Sequence, residues 1–99
     1  MKIDLDALIL DLHGKPLPNG GDASMTLGET IATAMIAIAP DDQSLSGDEK
    51  MRMFRLAQLA VKGGAQDIKT EDLAMLKTRV GKMYGPLIVG RVYDLIEDK

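Results

Sequence analysis

The chain has no cysteine, no tryptophan and a single histidine, His13. Without thiols there are no disulfides, no thiolate nucleophile and no cysteine-based zinc site, a composition in keeping with a reducing cytoplasm. With one imidazole, neither a Ser-His-Asp arrangement nor a multi-histidine metal site can be assembled. Positive charge is also scarce: twelve Lys and Arg against fifteen Asp and Glu leave a formal net charge of −3. That balance works against the generic attraction to phosphate backbones on which nucleic-acid binders rely. No apolar run approaches the roughly 20 residues of a membrane span. The opening MKIDLDALILDL, interrupted by Asp4, Asp6 and Asp11, is unlike the apolar core of a signal peptide. Aromatic residues make up 3% of the chain although 45% of it is apolar. The core must therefore be aliphatic and methionine-rich, deformable rather than tightly interlocked.

What is present fits one domain of 99 residues, large enough to bury a core but with little stability to spare. In residues 1–18 apolar residues alternate twice, at Ile3/Leu5 and then at Leu8/Leu10/Leu12, which suits extended chain, and His13-Gly14 supplies a hairpin turn. Pro16 and Pro18 confine the return strand to an edge. A short helix competes for the same residues, because Leu5, Leu8, Ile9 and Leu12 also recur at helical spacing. The hairpin is the favoured reading. Four helices follow. The first spans 26–39, opened by the T-x-x-E box of Thr26 and Glu29 and closed at Pro40. The second spans 46–62, opened by Ser46 and Glu49 and stopped by Gly63-Gly64. The third covers 70–84, with Glu71 and Asp72 in its first turn and Leu73, Leu76, Val80 and Met83 as its buried stripe. The fourth covers 86–97, with Pro86 at its first position.

The stretch TLGETIATAMIAIA raises the main question. From Ile31 to Ala39 only Thr33 is polar, so this helix has no obvious face for water. The second helix is nearly as apolar: Met51, Met53, Phe54, Leu56, Ala57, Leu59, Ala60 and Val61 leave Arg52, Arg55, Gln58 and Lys62 as one polar stripe, and it too is expected to be mostly buried. Either the first helix is the central strut of the bundle, or one of its faces meets a partner, with Ile31, Met35, Ile36 and Ile38 as the contact residues. Gly28 and Ala32 would allow close backbone approach in both cases. Gly81 and Gly90, inside helices where each costs about 1 kcal/mol relative to Ala, are expected at tight crossings.

Catalytic and metal-binding patterns are not found. Asp41-Asp42 with Ser44, Ser46, Asp48 and Glu49 lacks the ligand order of a calcium loop, and Gly20-Gly21 and Gly63-Gly64 lack the phosphate-cradling pattern. Arg52, Arg55 and Lys62, joined by Lys77, Arg79 and Lys82, would make a cationic surface and a nucleic-acid-binding alternative. Against it, KGGAQDIK is longer than a helix-turn-helix turn, and Asp48 and Glu49 offset Arg52.

The succession ILDLHGKPL, TLGETI, SGDEKMRMFRLAQLA, TEDLAMLK and YGPLIVGRVYDLIE resembles small proteins encoded in tailed-bacteriophage and prophage genomes. That resemblance covers most of the chain and implies a phage origin and a bacterial cytoplasmic setting, without catalytic residues to transfer. The expectation is thus a mainly α, small four-helix domain with a short N-terminal β-hairpin. It is a non-catalytic phage or prophage accessory protein without cofactor or metal, acting through protein contact with a second copy or with a phage or host protein.

Overall fold

The structure is a computed structural model of the chain, describing residues 1–19, 23–37 and 44–97. Four helices and a short antiparallel strand pair form it: β1 (Lys2–Asp4), α1 (Leu27–Ile36), α2 (Gly47–Val61), β2 (Ala65–Asp67), α3 (Thr70–Met83) and α4 (Pro86–Ile96). The mainly α architecture with an N-terminal two-stranded element is as the sequence indicates. The partner of β1 is β2, with Lys2 opposite Asp67, Ile3 opposite Gln66 and Asp4 opposite Ala65. A connection read from sequence as a plain loop therefore supplies the second strand. Gly63 and Gly64, at φ +71° and +69°, turn the chain out of α2 into β2, a left-handed path that side-chain-bearing residues resist.

Residues 5–19 do reverse on themselves, through a three-residue loop. Asp11 N–H donates to the Lys15 carbonyl at 2.7 Å and Gly14 N–H to the Asp11 carbonyl at 3.1 Å. Gly14 alone is left-handed there, at φ +82°, while His13 is not. The turn is specified by Asp11, whose Oδ1 accepts from the backbone of His13 at 2.8 Å and of Lys15 at 3.0 Å, a local side-chain turn. Of the alternating set Leu8/Leu10/Leu12, Leu10 alone is partly sheltered. Ile9 is fully buried, while Leu8 and Leu12 are exposed. Ile3, Leu5 and Ile9 keep one odd-numbered register through the turn in which Ala7 N–H donates to the Asp4 carbonyl at 3.2 Å, and a set read one residue out of that register falls on the other face.

Helix α1 is the central strut. It packs against both α2 and α3 and buries Leu27, Gly28, Thr30, Ile31, Ala32, Ala34 and Met35. The buried Thr30 hydroxyl donates to the Thr26 carbonyl at 2.9 Å, so the one polar group in that face is satisfied. Close approach is possible because Gly28 has no side chain: a Cβ there would overlap the Ala60 carbonyl oxygen and lie 3.2 Å from the Leu5 carbonyl oxygen. Helix α1 ends at Ile36 with Ala37 extended, short of the expected end at Ala39; residues 38–39 lie outside the described residues. Helix α2 opens with the full reciprocal capping box of Ser46 and Glu49, at 3.2 and 3.0 Å. Helix α3 starts at Thr70, its cap being Lys69, and α4 starts at Pro86, where a missing N–H costs nothing.

Candidate functional site

The residues expected to form a partner surface on α1 do not lie together at the surface. Ile31 is 0% and Met35 2% exposed, both inside the protein's own core, whereas Ile36 is 66% exposed. Ile38 lies outside the described residues. The apolar character of α1 is therefore used within the chain, and Ile36 is its only described contact candidate still facing solvent.

Among the described helices, α2 carries the most exposed large apolar residues, which corrects the expectation that it is mostly buried. Met53, Leu56, Ala57 and Ala60 face the core. Met51, Phe54 and Val61 are 51%, 49% and 57% exposed. Their spacing of three and seven residues places them within about 80° of one another, as a stripe on the outward side of α2, with the exposed Gln58 between them. The chain's one phenylalanine is thus on the surface. Sequence periodicity identifies both faces of α2 as apolar without saying which of them finds a neighbour. The absence of a polar residue at 51, 54 and 61 was the available signal.

The basic residues of α2 run beside this stripe. Arg52 donates through Nη2 to Asp72 Oδ1 on α3 at 2.8 Å, while Arg55 and Lys62 are exposed. An open hollow of about 540 Å³ lies where α2 meets the start of α3. Met51, Leu56 and Leu59 line it together with the carboxylates of Asp48, Glu71 and Asp72 and the cations of Arg52, Arg55 and Lys69. Equal numbers of opposite charges give no uniformly positive field for a phosphate backbone.

Two of the further cations expected to extend a basic face, Arg79 and Lys77, have other roles. Arg79 is 4% exposed and donates to the carbonyls of Ala34 and Ala37, capping the C-terminal end of α1. Lys77 pairs with Glu97 and stands 5.0 Å from the centre of the Tyr93 ring, a cation–π distance. Sequence reasoning missed the structural use of Arg79. Its signal was indirect: α1 has no basic residue in its last turn, and the expected closing residue was Pro40, so its final carbonyls needed donors from elsewhere.

His13 is exposed on its loop. No cluster of three His, Cys, Asp or Glu positioned to hold a metal occurs among the described residues, and Gly20-Gly21 and Asp41-Asp42 lie outside them. Asp67 accepts a hydrogen bond from the N-terminal ammonium of Met1 at 2.8 Å, and this bond, with the charge of the same ammonium, holds its pKa below the ordinary Asp value. This contact pins the start of β1 to the end of β2. No helix among the described residues is long and apolar enough to cross a membrane. In comparison with known proteins, no family model, no curated sequence and no solved structure matches the chain.

Proposed function

We propose that this protein works by protein contact rather than catalysis, and that it self-associates across the outward stripe of α2. In this reading it is a small accessory protein of a tailed phage or prophage, acting in the bacterial cytoplasm. The observation that carries the contact reading is the half-exposed line of Met51, Phe54 and Val61 on a single helical face. Isolated surface apolar residues need no explanation, but three aligned on one helix make a patch with a polar rim, the anatomy of a contact surface. Lys50, Arg55 and Lys62 supply that rim. Phenylalanine is among the residues enriched at interface cores, and here the only one in the chain is placed outside the core. The order of segments that resembles phage-encoded proteins supports the setting.

Light scattering coupled to size exclusion tests the contact. The mass is expected to rise from one chain toward two as concentration increases. Phe54→Lys is expected to hold the mass at one chain while leaving the helical circular-dichroism signal intact. A wild-type mass of one chain at every concentration would overturn self-association. Genes for phage structural or assembly proteins on either side of this one are expected, and a locus without them would remove the phage setting.

A further inference from the structure

Resting on that reading, we infer that two copies pack antiparallel along α2, with Asp48 of one copy beside Lys62 of the other on both sides of a two-fold axis. A two-fold contact uses the same patch on both chains, so the patch must complement itself. Asp48 and Lys62 are exposed and make no ion pair with any described residue. They are fourteen residues apart, which at 100° per residue puts them about 40° apart around the helix and about 21 Å apart along it. Both therefore border the same edge of the apolar stripe, at its two ends.

The two kinds of surface agree on where the axis falls. The stripe from Met51 to Val61 is centred at position 56, and the pair Asp48 and Lys62 at position 55, a difference of about one 1.5 Å rise. One axis thus sets Met51 against the partner copy's Val61, places the two Phe54 side chains on either side of the axis, each beside Gln58 of the partner copy, and joins each Asp48 to a Lys62. A parallel arrangement would instead carry that edge to opposite sides of the contact, leaving Asp48 and Lys62 without each other's charge, and would align the helix dipoles. Arg55 lies close to the axis on the same edge and meets its own duplicate in the antiparallel arrangement. Glu71 lines the same hollow and offsets part of that repulsion.

Charge exchange distinguishes this geometry from self-association in general. Sedimentation equilibrium would be run on wild type, Asp48→Lys, Lys62→Asp and the double variant, with circular dichroism confirming the fold of each. Each single reversal turns two attractive pairs into two repulsive ones and is expected to weaken the dimer roughly tenfold. The double variant is expected to recover wild-type association. The two single variants, weak alone, are expected to associate with each other when mixed, because each then meets the opposite charge. A wild-type dimer indifferent to the single reversals, or single variants that fail to associate on mixing, would overturn the antiparallel pairing and leave self-association standing. A wild type that never dimerises would overturn both.

Discussion

The Arg79 guanidinium reaches from α3 to the end of α1, donating through Nη2 to the Ala37 carbonyl at 2.7 Å and through Nε to the Ala34 carbonyl at 3.2 Å. The last carbonyls of a helix have no partner within it and carry its negative pole, so a buried cation answers both needs at once. Replacement by a residue with no donors leaves those carbonyls without these hydrogen bonds in a water-poor site. Arg79→Met is expected to destabilise the protein by roughly 2–3 kcal/mol, measured by urea unfolding. Arg79→Lys should recover only part of that loss, because an ammonium lacks the planar fork that serves two carbonyls together.

Two glycines in helices should respond in opposite directions to the same substitution. A methyl group at Gly28 would strike the Ala60 carbonyl oxygen, which belongs to backbone and cannot rotate away. Gly28→Ala is expected to cost about 1–3 kcal/mol, the range for overpacking. At Gly90 nothing lies within 4 Å of a Cβ, which corrects the expectation of a tight crossing there. Gly90→Ala should stabilise the protein by up to about 1 kcal/mol through helix propensity alone. Gly81 is intermediate: its Cβ would stand 3.3 Å from the Tyr93 hydroxyl, which also donates to the Lys77 carbonyl at 3.0 Å. Paired thermal melts of the Gly28 and Gly90 variants check the contrast.

Asp67 gives the acid response a definite sign. Its pKa is lowered by the hydrogen bond and charge of the N-terminal ammonium, while the unfolded chain titrates near the ordinary value of about 3.9. The unfolded state therefore binds the proton first as pH falls. The contribution of Asp67 is complete above that ordinary value and is lost as pH drops through the lower, folded one. A carboxyl NMR titration should place its midpoint below the ordinary Asp range. Blocking the Met1 amine by acetylation should return it to that range.

The elements legible in the sequence were those whose signals are local. Ser46 with Glu49 and Gly63-Gly64 fixed the two ends of α2, and Gly85-Pro86 the start of α4, because capping needs only residues a few positions apart. The strand Ala65–Asp67 was not legible, since three residues at the edge of a two-stranded ladder carry no period and owe their pairing to β1 more than sixty residues away. The candidate surface was half legible. That α1 and α2 hold more apolar residue than one buried face requires is visible in TLGETIATAMIAIA and in Met51 through Val61. Which helix keeps the excess outside depends on three-dimensional neighbours, and Gly28 decides it by letting α1 sink between α2 and the backbone at Leu5.

Helix α1 therefore offers the sharpest contrast between a core and a surface position. Ile31 and Ile36 are both isoleucines in one apolar stretch, yet the first is fully enclosed and the second is 66% exposed. A lysine at position 31 would bring a charge into a site that offers it no water, a cost of several kcal/mol, comparable with the entire stability of a domain of this size. Ile31→Lys is expected to abolish the cooperative unfolding transition. At position 36 the substitution exchanges exposed apolar surface for a solvated chain and should change stability by no more than about 0.5 kcal/mol. If self-association runs along α2, Ile36→Lys should also leave the concentration dependence of the mass unchanged. A monomeric, well-folded Ile36→Lys protein would move the contact from α2 to the end of α1.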